Sequence, residues 1–254
     1  MKAAEFAKRA FAMPAYNPSY PPGPYRFIGR EYMTISYGSD PAAIARIVPA
    51  PLEPVGRVVR LEFVRMPDST GFGAYTGVAQ KIPVRFGGET GVYVRLMFLD
   101  SHPPIAGGRE LWGFPQKLAK PSLSVERDTL VGALDFGPVR VATGSMGYKH
   151  ASIDAGTIAL QAVEPSFLLK IVPHVDGSPR ICELVRVTQS DCTVHGAWSA
   201  PAALELHAHA LAPIADLPVQ TPASAIHHVA DYTLDLGTVV HDYLAGKARP
   251  KKAG

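Results

Sequence analysis

The stretch Arg57-Val-Val-Arg-Leu-Glu-Phe-Val-Arg-Met66 is rich in β-branched residues and roughly alternates apolar with charged side chains, the period-2 signature of a strand with one face on a core. Gly91-Val-Tyr-Val-Arg-Leu-Met-Phe-Leu99 repeats the pattern. Outward from these two, strand-like runs recur at residues 123–125, 129–136, 139–143, 167–172, 182–188, 191–197 and 203–207, each bounded by Gly, Pro, Asp or Ser. Helical stretches are fewer: 40–47 behind Ser39, 151–162, and 237–245. No strand-helix alternation supports a doubly wound sheet. The expected fold is therefore α+β and mainly antiparallel β, a single domain over residues 25–245 whose meander forms a closed or nearly closed barrel with a few flanking helices. Residues 1–12 are expected to form a short helix, and 13–24, with Pro14, Pro18, Pro21, Pro22 and Pro24, an extended arm over the body. Residues 246–254 are expected to be a basic, disordered tail.

Composition agrees with many short elements. The chain has 254 residues, 47% of them apolar, enough for a substantial core, and its 23 glycines and 24 prolines exceed average usage. The formal charge is +3, but Lys247, Arg249, Lys251 and Lys252 cluster at the end and leave the rest near neutral. That argues against a nucleic-acid-binding face. Cys182 and Cys192 are too few for a disulfide framework, so a reducing cytoplasm is expected. Glu5, Lys8 and Arg9 interrupt the N-terminus, and no 18-residue apolar run exists, against secretion and membrane spanning.

Several chemical patterns fail on spacing. Gly71, Gly73 and Gly77 miss the dinucleotide fingerprint by one residue and read as a turn. Thr-Gly-Ser145-Met-Gly lacks the first glycine of a nucleophile elbow. His207 with His209, and His227 with His228, find no third close ligand, so no metal is expected and most histidines read as partly buried side chains or subunit contacts. Glu62, Glu110 and Glu183 sit in apolar strands or tight loops, where a carboxylate needs a partner. Each alone reads as half of an ion pair.

The most informative segment is Gly107-Gly-Arg-Glu-Leu-Trp-Gly-Phe-Pro-Gln-Lys-Leu-Ala-Lys-Pro121. Only five lysines lie between Arg9 and Lys247, and one of them, Lys117, is flanked here by Phe114, Pro115, Leu118 and Ala119. Desolvation favours the neutral amine, the form that condenses with carbonyl carbon. Taken without any relative, the same residues favour a lysine whose stem lies on apolar surface while its ammonium reaches water.

This segment resembles the signature of the acetoacetate decarboxylase family. The resemblance extends over most of the chain through Pro22-Gly-Pro-Tyr-Arg-Phe27, Gly29-Arg-Glu-Tyr32, Arg60-Leu-Glu-Phe63, Met146-Gly-Tyr-Lys-His150, Asp176-Gly-Ser-Pro-Arg-Ile-Cys-Glu-Leu184 and Leu211-Ala-Pro-Ile-Ala-Asp-Leu-Pro-Val219. It implies decarboxylation of a small β-keto acid, acetoacetate to acetone and CO2, through a lysine Schiff base without cofactor, by a large homo-oligomer. By the same resemblance Arg30 would hold the substrate carboxylate and Glu62 would orient groups around the imine. Phe27, Gly77, Lys81, Phe114 and Gln116 would line the pocket.

Two departures stand out. The family reads Pro-Lys-Lys-Leu where this chain has Pro115-Gln116-Lys117-Leu118, and the first lysine is the Schiff-base residue. A carboxamide nitrogen is delocalised into its carbonyl and forms no imine. The family also reads Tyr-Thr-Glu where this chain has Tyr75-Thr76-Gly77, while Lys81 stands where an uncharged residue is common. Four readings follow. Lys117 could enter the pocket by a bulge or turn at Pro115, since adjacent strand residues otherwise face opposite ways. Lys81 could supply the amine from a neighbouring strand, or the pocket could bind or transform another keto acid without an imine. Gln116 could also be an introduced trap for substrate, although the loss at Gly77 argues against a single change. The leading expectation is Lys117 as the catalytic amine.

Overall fold

The structure, a computed structural model, describes residues 3–221 and 224–245. The expected tail at 246–254 lies outside the described residues. In chain order the elements are α1 (Ala3–Arg9), β1 (Tyr25–Gly38), α2 (Pro41–Ile47), β2 (Glu53–Pro54), β3 (Val58–Met66), β4 (Asp68–Ser69), β5 (Tyr75–Phe86) and β6 (Glu89–Leu99). After α3 (His102–Gly107) and one π-helical turn (Gly108–Trp112) come β7 (Gln116–Leu118), β8 (Lys120–Glu126), β9 (Thr129–Phe136), β10 (Val139–Gly147), β11 (Ala151–Ser152) and α4 (Ala155–Ala162). The chain continues through β12 (Ser166–Pro173), β13 (Pro179–Val187), β14 (Gln189–Leu206), a 3-10 turn (Ile214–Asp216), β15 (Ser224–Leu234) and β16 (Thr238–Asp242).

The strands build one large sheet in the order β16-β13-β12-β6-β5-β3-β1-β15-β14-β10-β9-β8. Alternation along the central strands splits the apolar residues between its faces. Met33, Ile35, Leu61, Phe63, Val78 and Phe98 enter one core, over which β8, β9 and β10 curl back. Tyr25, Phe27, Tyr32, Val64, Tyr75, Trp112 and Tyr232 enter a second core on the other face, together with Leu168 and Val185. The mainly β architecture matches expectation, and the sheet wraps without being closed by hydrogen bonds. Pairing is antiparallel except that β6 runs parallel to β12 and to β7, which a simple meander does not contain.

Some local expectations need correcting. Residues 237–245 contain no helix: β-branched Thr238 and Val239 instead pair with β13, and Val240 lies at a register shift within β16. The helix expected over 151–162 starts at Ala155 because Asp154 caps it, accepting a hydrogen bond from Thr157 N at 2.7 Å. The runs at 191–197 and 203–207 are parts of the single strand β14, bent by register shifts against β15. Gly71 and Gly73 do sit in a turn with positive φ, but Gly77 lies inside β5. In the arm, Tyr20 is buried and donates to Glu110 at 2.6 Å, while Tyr25 donates to the Pro21 carbonyl. Among the described residues no helix is long and apolar enough to cross a membrane.

Candidate active site

The site is built on one row of the sheet. Register places Ile226 of β15, Thr34 of β1, Glu62 of β3, Ala79 of β5, Met97 of β6 and Gln116 of β7 side by side. Laterally paired residues share a face, and so do residues two apart along a strand. The Glu62 face therefore also carries Tyr32, Arg60, Gly77, Lys81 and His228.

Arg30 reaches this face through a bulge. Two residues of β1, Ile28 and Gly29, stand opposite one of β15, between the pairs Phe27–Tyr232 and Arg30–Ala230. Gly29 takes φ +60°, which glycine adopts without a Cβ penalty, and its N–H donates to Asp231 Oδ1 at 2.7 Å. A regular strand would put Phe27 and Arg30 on opposite faces; the extra residue puts them together. The Arg30 guanidinium lies 5.1 Å from the ring centre of Phe27, 4.7 Å from Tyr32 and 5.1 Å from Tyr232. Tyr32 and Tyr232 are joined by a hydroxyl hydrogen bond of 2.8 Å. This aromatic cage fixes the plane of a cation whose Nε is buried and has no hydrogen-bond partner.

Glu62 is buried and pairs with Lys81 across β3 and β5, Nζ to Oε2 2.6 Å. Burial works against its charge, but Lys81, then Arg30 and Arg60, outweigh it and hold the carboxyl below its ordinary range. His228 stacks on Tyr32. Burial pushes its imidazole down to about 4, with Glu62 opposing, so the ring is neutral near pH 7. Arg60 pairs with Glu164 beyond the end of α4 at 2.7 Å. A cavity of about 170 Å³ opens among Tyr32, Arg60, Glu62, Lys81, Gln161 and His228.

Gln116 is held from below. Gly113 N and Phe114 N both donate to Gly108 O at 3.0 Å, closing the π turn, while buried Trp112 anchors it by donating to Asp235 O at 2.8 Å. Gln116 N then donates to Phe114 O at 2.8 Å, a tight turn that directs the Gln116 side chain inward. It is only 6% exposed; its Nε2 lies 3.4 Å from Met97 Sδ, and its Oε1 is buried without a partner.

Lys117 follows the opposite course. It is exposed, its Nζ donates to Leu211 O at 2.7 Å and lies 5.5 Å from the centre of Phe136. The entry of Lys117 into the pocket needed a bulge, and β7 pairs with β6 in unbroken register, so burying Gln116 exposes its neighbour. The alternative of an apolar stem with a solvent-reaching head is what the structure contains. Phe114 also stands apart: it packs on Trp112 and lines a second depression with Leu169 and Ile171. At Gly77, a Cβ would come within 2.5 Å of Leu99 Cδ2, so Leu99 occupies the space a side chain would need.

Thus Glu62 and Lys81 meet in the cavity, Phe27 and Arg30 meet in the aromatic cage that Tyr32 joins to it, Gly77 and Gln116 share the Glu62 face, and Lys117 and Phe114 do not. Tyr32, Tyr232, Arg60 and His228 were not foreseen as site residues. The Arg-Glu-Tyr motif carried Tyr32, and the His227-His228 pair carried a signal too, since adjacent strand residues must face opposite sides. His227 indeed turns away to Glu31, at 2.9 Å. Glu62 does sit in an ion pair, whereas Glu110 accepts from Tyr20.

Known proteins match this arrangement along most of its length. The chain is 63% identical over 244 residues to the acetoacetate decarboxylase of Chromobacterium violaceum, covering 96% of this chain and 99% of that one. It is equally similar, over 245 residues, to that of Acidiphilium cryptum, covering 96% of this chain and all of the relative. The crystal structure of acetoacetate decarboxylase from Legionella pneumophila superposes with a TM-score of 0.91 at 48% identity, covering 96% of this chain and 98% of that chain. Residues 12–244, which span the Arg30 bulge, the Glu62 strand and the Gln116 turn, match the acetoacetate decarboxylase family's sequence pattern, and the chain belongs to that family.

Proposed function

We propose that this chain decarboxylates a small β-keto acid, acetoacetate foremost, through an imine with one of its own lysines. The observation that carries the reading is the buried carboxylate of Glu62 paired with Lys81, with the caged guanidinium of Arg30 also favouring its charge. Arg30 offers fixed donors to the substrate carboxylate, and the aromatic walls exclude water from it. An iminium two bonds from the departing carboxylate accepts the electron pair released with CO2. Glu62 carries protons to and from the nitrogen. Relatives named acetoacetate decarboxylase at 56–63% identity support the assignment. A reducing cytoplasm, in keeping with two free cysteines, and the homo-oligomer that the family resemblance implies belong to the same proposal, and light scattering checks the assembly.

The test is direct: the purified chain is incubated with acetoacetate, and acetone and CO2 are quantified against the spontaneous reaction. Acceleration is expected. No acceleration, with pyruvate or another keto acid binding by calorimetry and no adduct trapped by borohydride, would establish the second reading, a repurposed pocket that binds without an imine. The inward carboxamide of Gln116 favours that second reading.

A further inference from the structure

Granting the decarboxylase reading, we infer that Lys81 supplies the imine nitrogen in this chain, with Glu62 as its proton partner, in place of the residue at position 116. Among the described residues, Lys81 is the one lysine lining the cavity that Glu62, Tyr32 and His228 enclose. Every other interior lysine is placed elsewhere. Lys117 is exposed and bonded to Leu211 O, Lys170 donates to Leu111 O, Lys149 lies over Trp198, and Lys120 is exposed. Position 116 presents a carboxamide to the same face, three strands from Glu62. The amine has therefore moved two strands along the row, from β7 to β5, while keeping its face.

The local geometry suits the task. Glu62 feels two cations: Lys81 touches it directly, and Arg30 acts through its charge on the same carboxylate and on His228. Tyr32 borders both the Arg30 cage and the cavity, so a keto acid seated beside Glu62 and Lys81 lies next to the ring that faces Arg30. The cavity, about 170 Å³ where one ordered water needs about 10–15 Å³, has room for a keto acid of a few carbons. At Gly77, four residues along β5, Leu99 fills the space of the family's second carboxylate, and of the two acids lining the cavity Glu164 is paired with Arg60 while Glu62 is paired with Lys81.

The steps balance. The Lys81 ammonium gives a proton to Glu62 Oε2, and the free amine attacks the ketone carbon to form a carbinolamine. Glu62 returns that proton to the carbinolamine oxygen, which leaves as water, so the iminium forms. The bond between the α-carbon and the carboxylate then breaks, its electron pair enters the iminium as an enamine, and CO2 departs. The enamine carbon takes one proton, ultimately from solvent. Water adds to the resulting iminium, the C–N bond breaks, and the ketone and the Lys81 ammonium are restored.

The test uses the full chain with acetoacetate, borohydride reduction and peptide mapping by mass spectrometry, alongside acetone measurement. The expected result is a reduced adduct on the peptide containing Lys81. Lys81→Arg keeps a cation against Glu62 but forms no imine, so it is expected to retain the melting temperature, lose the adduct and lose roughly 10³-fold or more in turnover. Acetone production with the adduct on another lysine, with no adduct, or at the original rate in Lys81→Arg would overturn the inference and leave the decarboxylase reading standing. An adduct on Lys81 without acetone would retain the imine and overturn decarboxylation. Neither adduct nor acetone overturns both.

Discussion

The rings of Tyr32 and His228 stack with centroids 4.3 Å apart and planes 13° from parallel, across the pairing of β1 with β15. An imidazole held this way has little room for a proton: it is buried, and its Nδ1 has no hydrogen-bond partner. Its folded pKa of about 4 lies below the ordinary imidazole value of 6.5, so the unfolded chain binds the proton more readily. Stability from this group is whole above about pH 6.5 and is lost as pH falls toward 4. Between pH 7 and 5 the loss is about 2 kcal/mol. His228→Asn is expected to remove that part of the acid sensitivity, read as a smaller difference between urea midpoints at pH 7 and 5.

Arg30 is predicted to bind substrate more than to drive bond cleavage. Arg30→Met should raise KM for acetoacetate about 10- to 100-fold, as for loss of a charge-assisted hydrogen bond worth about 1.5–3 kcal/mol, with a smaller change in kcat. Arg30→Lys keeps the charge but loses the flat guanidinium that the three rings hold, and should resemble Arg30→Met more than the parent. Steady-state kinetics at several ionic strengths separates the cases.

Gly108 and Gln116 are predicted to be coupled. A Cβ on Gly108 would lie 2.1 Å from Gln116 Oε1 and 2.7 Å from its Cδ. Gly108→Ala should cost about 1–3 kcal/mol by overpacking, and the cost should shrink in a Gln116→Ala background, where the space is vacated. A double-mutant cycle from denaturant midpoints measures the coupling.

Position 116 is predicted to accept an amine. Because its side chain already points to the Glu62 face, Gln116→Lys should yield a borohydride-trapped adduct on residue 116, detectable by peptide mapping. The same experiment on Lys117 peptides should find none, since Lys117 is exposed on the other side of β7.

Much of this fold was readable in the alternation of β3 and β6, because that pattern is local and strong. Three long strands escaped notice for local reasons: β1 is interrupted by a glycine bulge, β5 carries Gly77 and Pro83, and β15 carries two adjacent histidines and Asp231. In the site, Arg30 and Glu62 came from motifs. That Lys81 touches Glu62 depends on the register between β3 and β5, which pairs residues distant in sequence. Which of His227 and His228 faces the pocket is likewise a question of register, where a slip of one residue exchanges the two. Lys117 shows the limit of local reading: its neighbours are apolar, but the turn at Phe114 decides which way it points.

The pairing of β1 with β15 carries a consequence for biosynthesis. Arg30 is caged by Tyr32 from the beginning of the chain and by Tyr232, which lies 200 residues beyond Tyr32. At a synthesis rate of about 5–20 residues per second, β1 spends on the order of 10–40 s on the ribosome before β15 exists to pair with it. During that interval the cationic residue and the edge of β1 are uncovered on the side that β15 will fill. The cage around Arg30 is thus completed only once β15 has been made and has paired with β1.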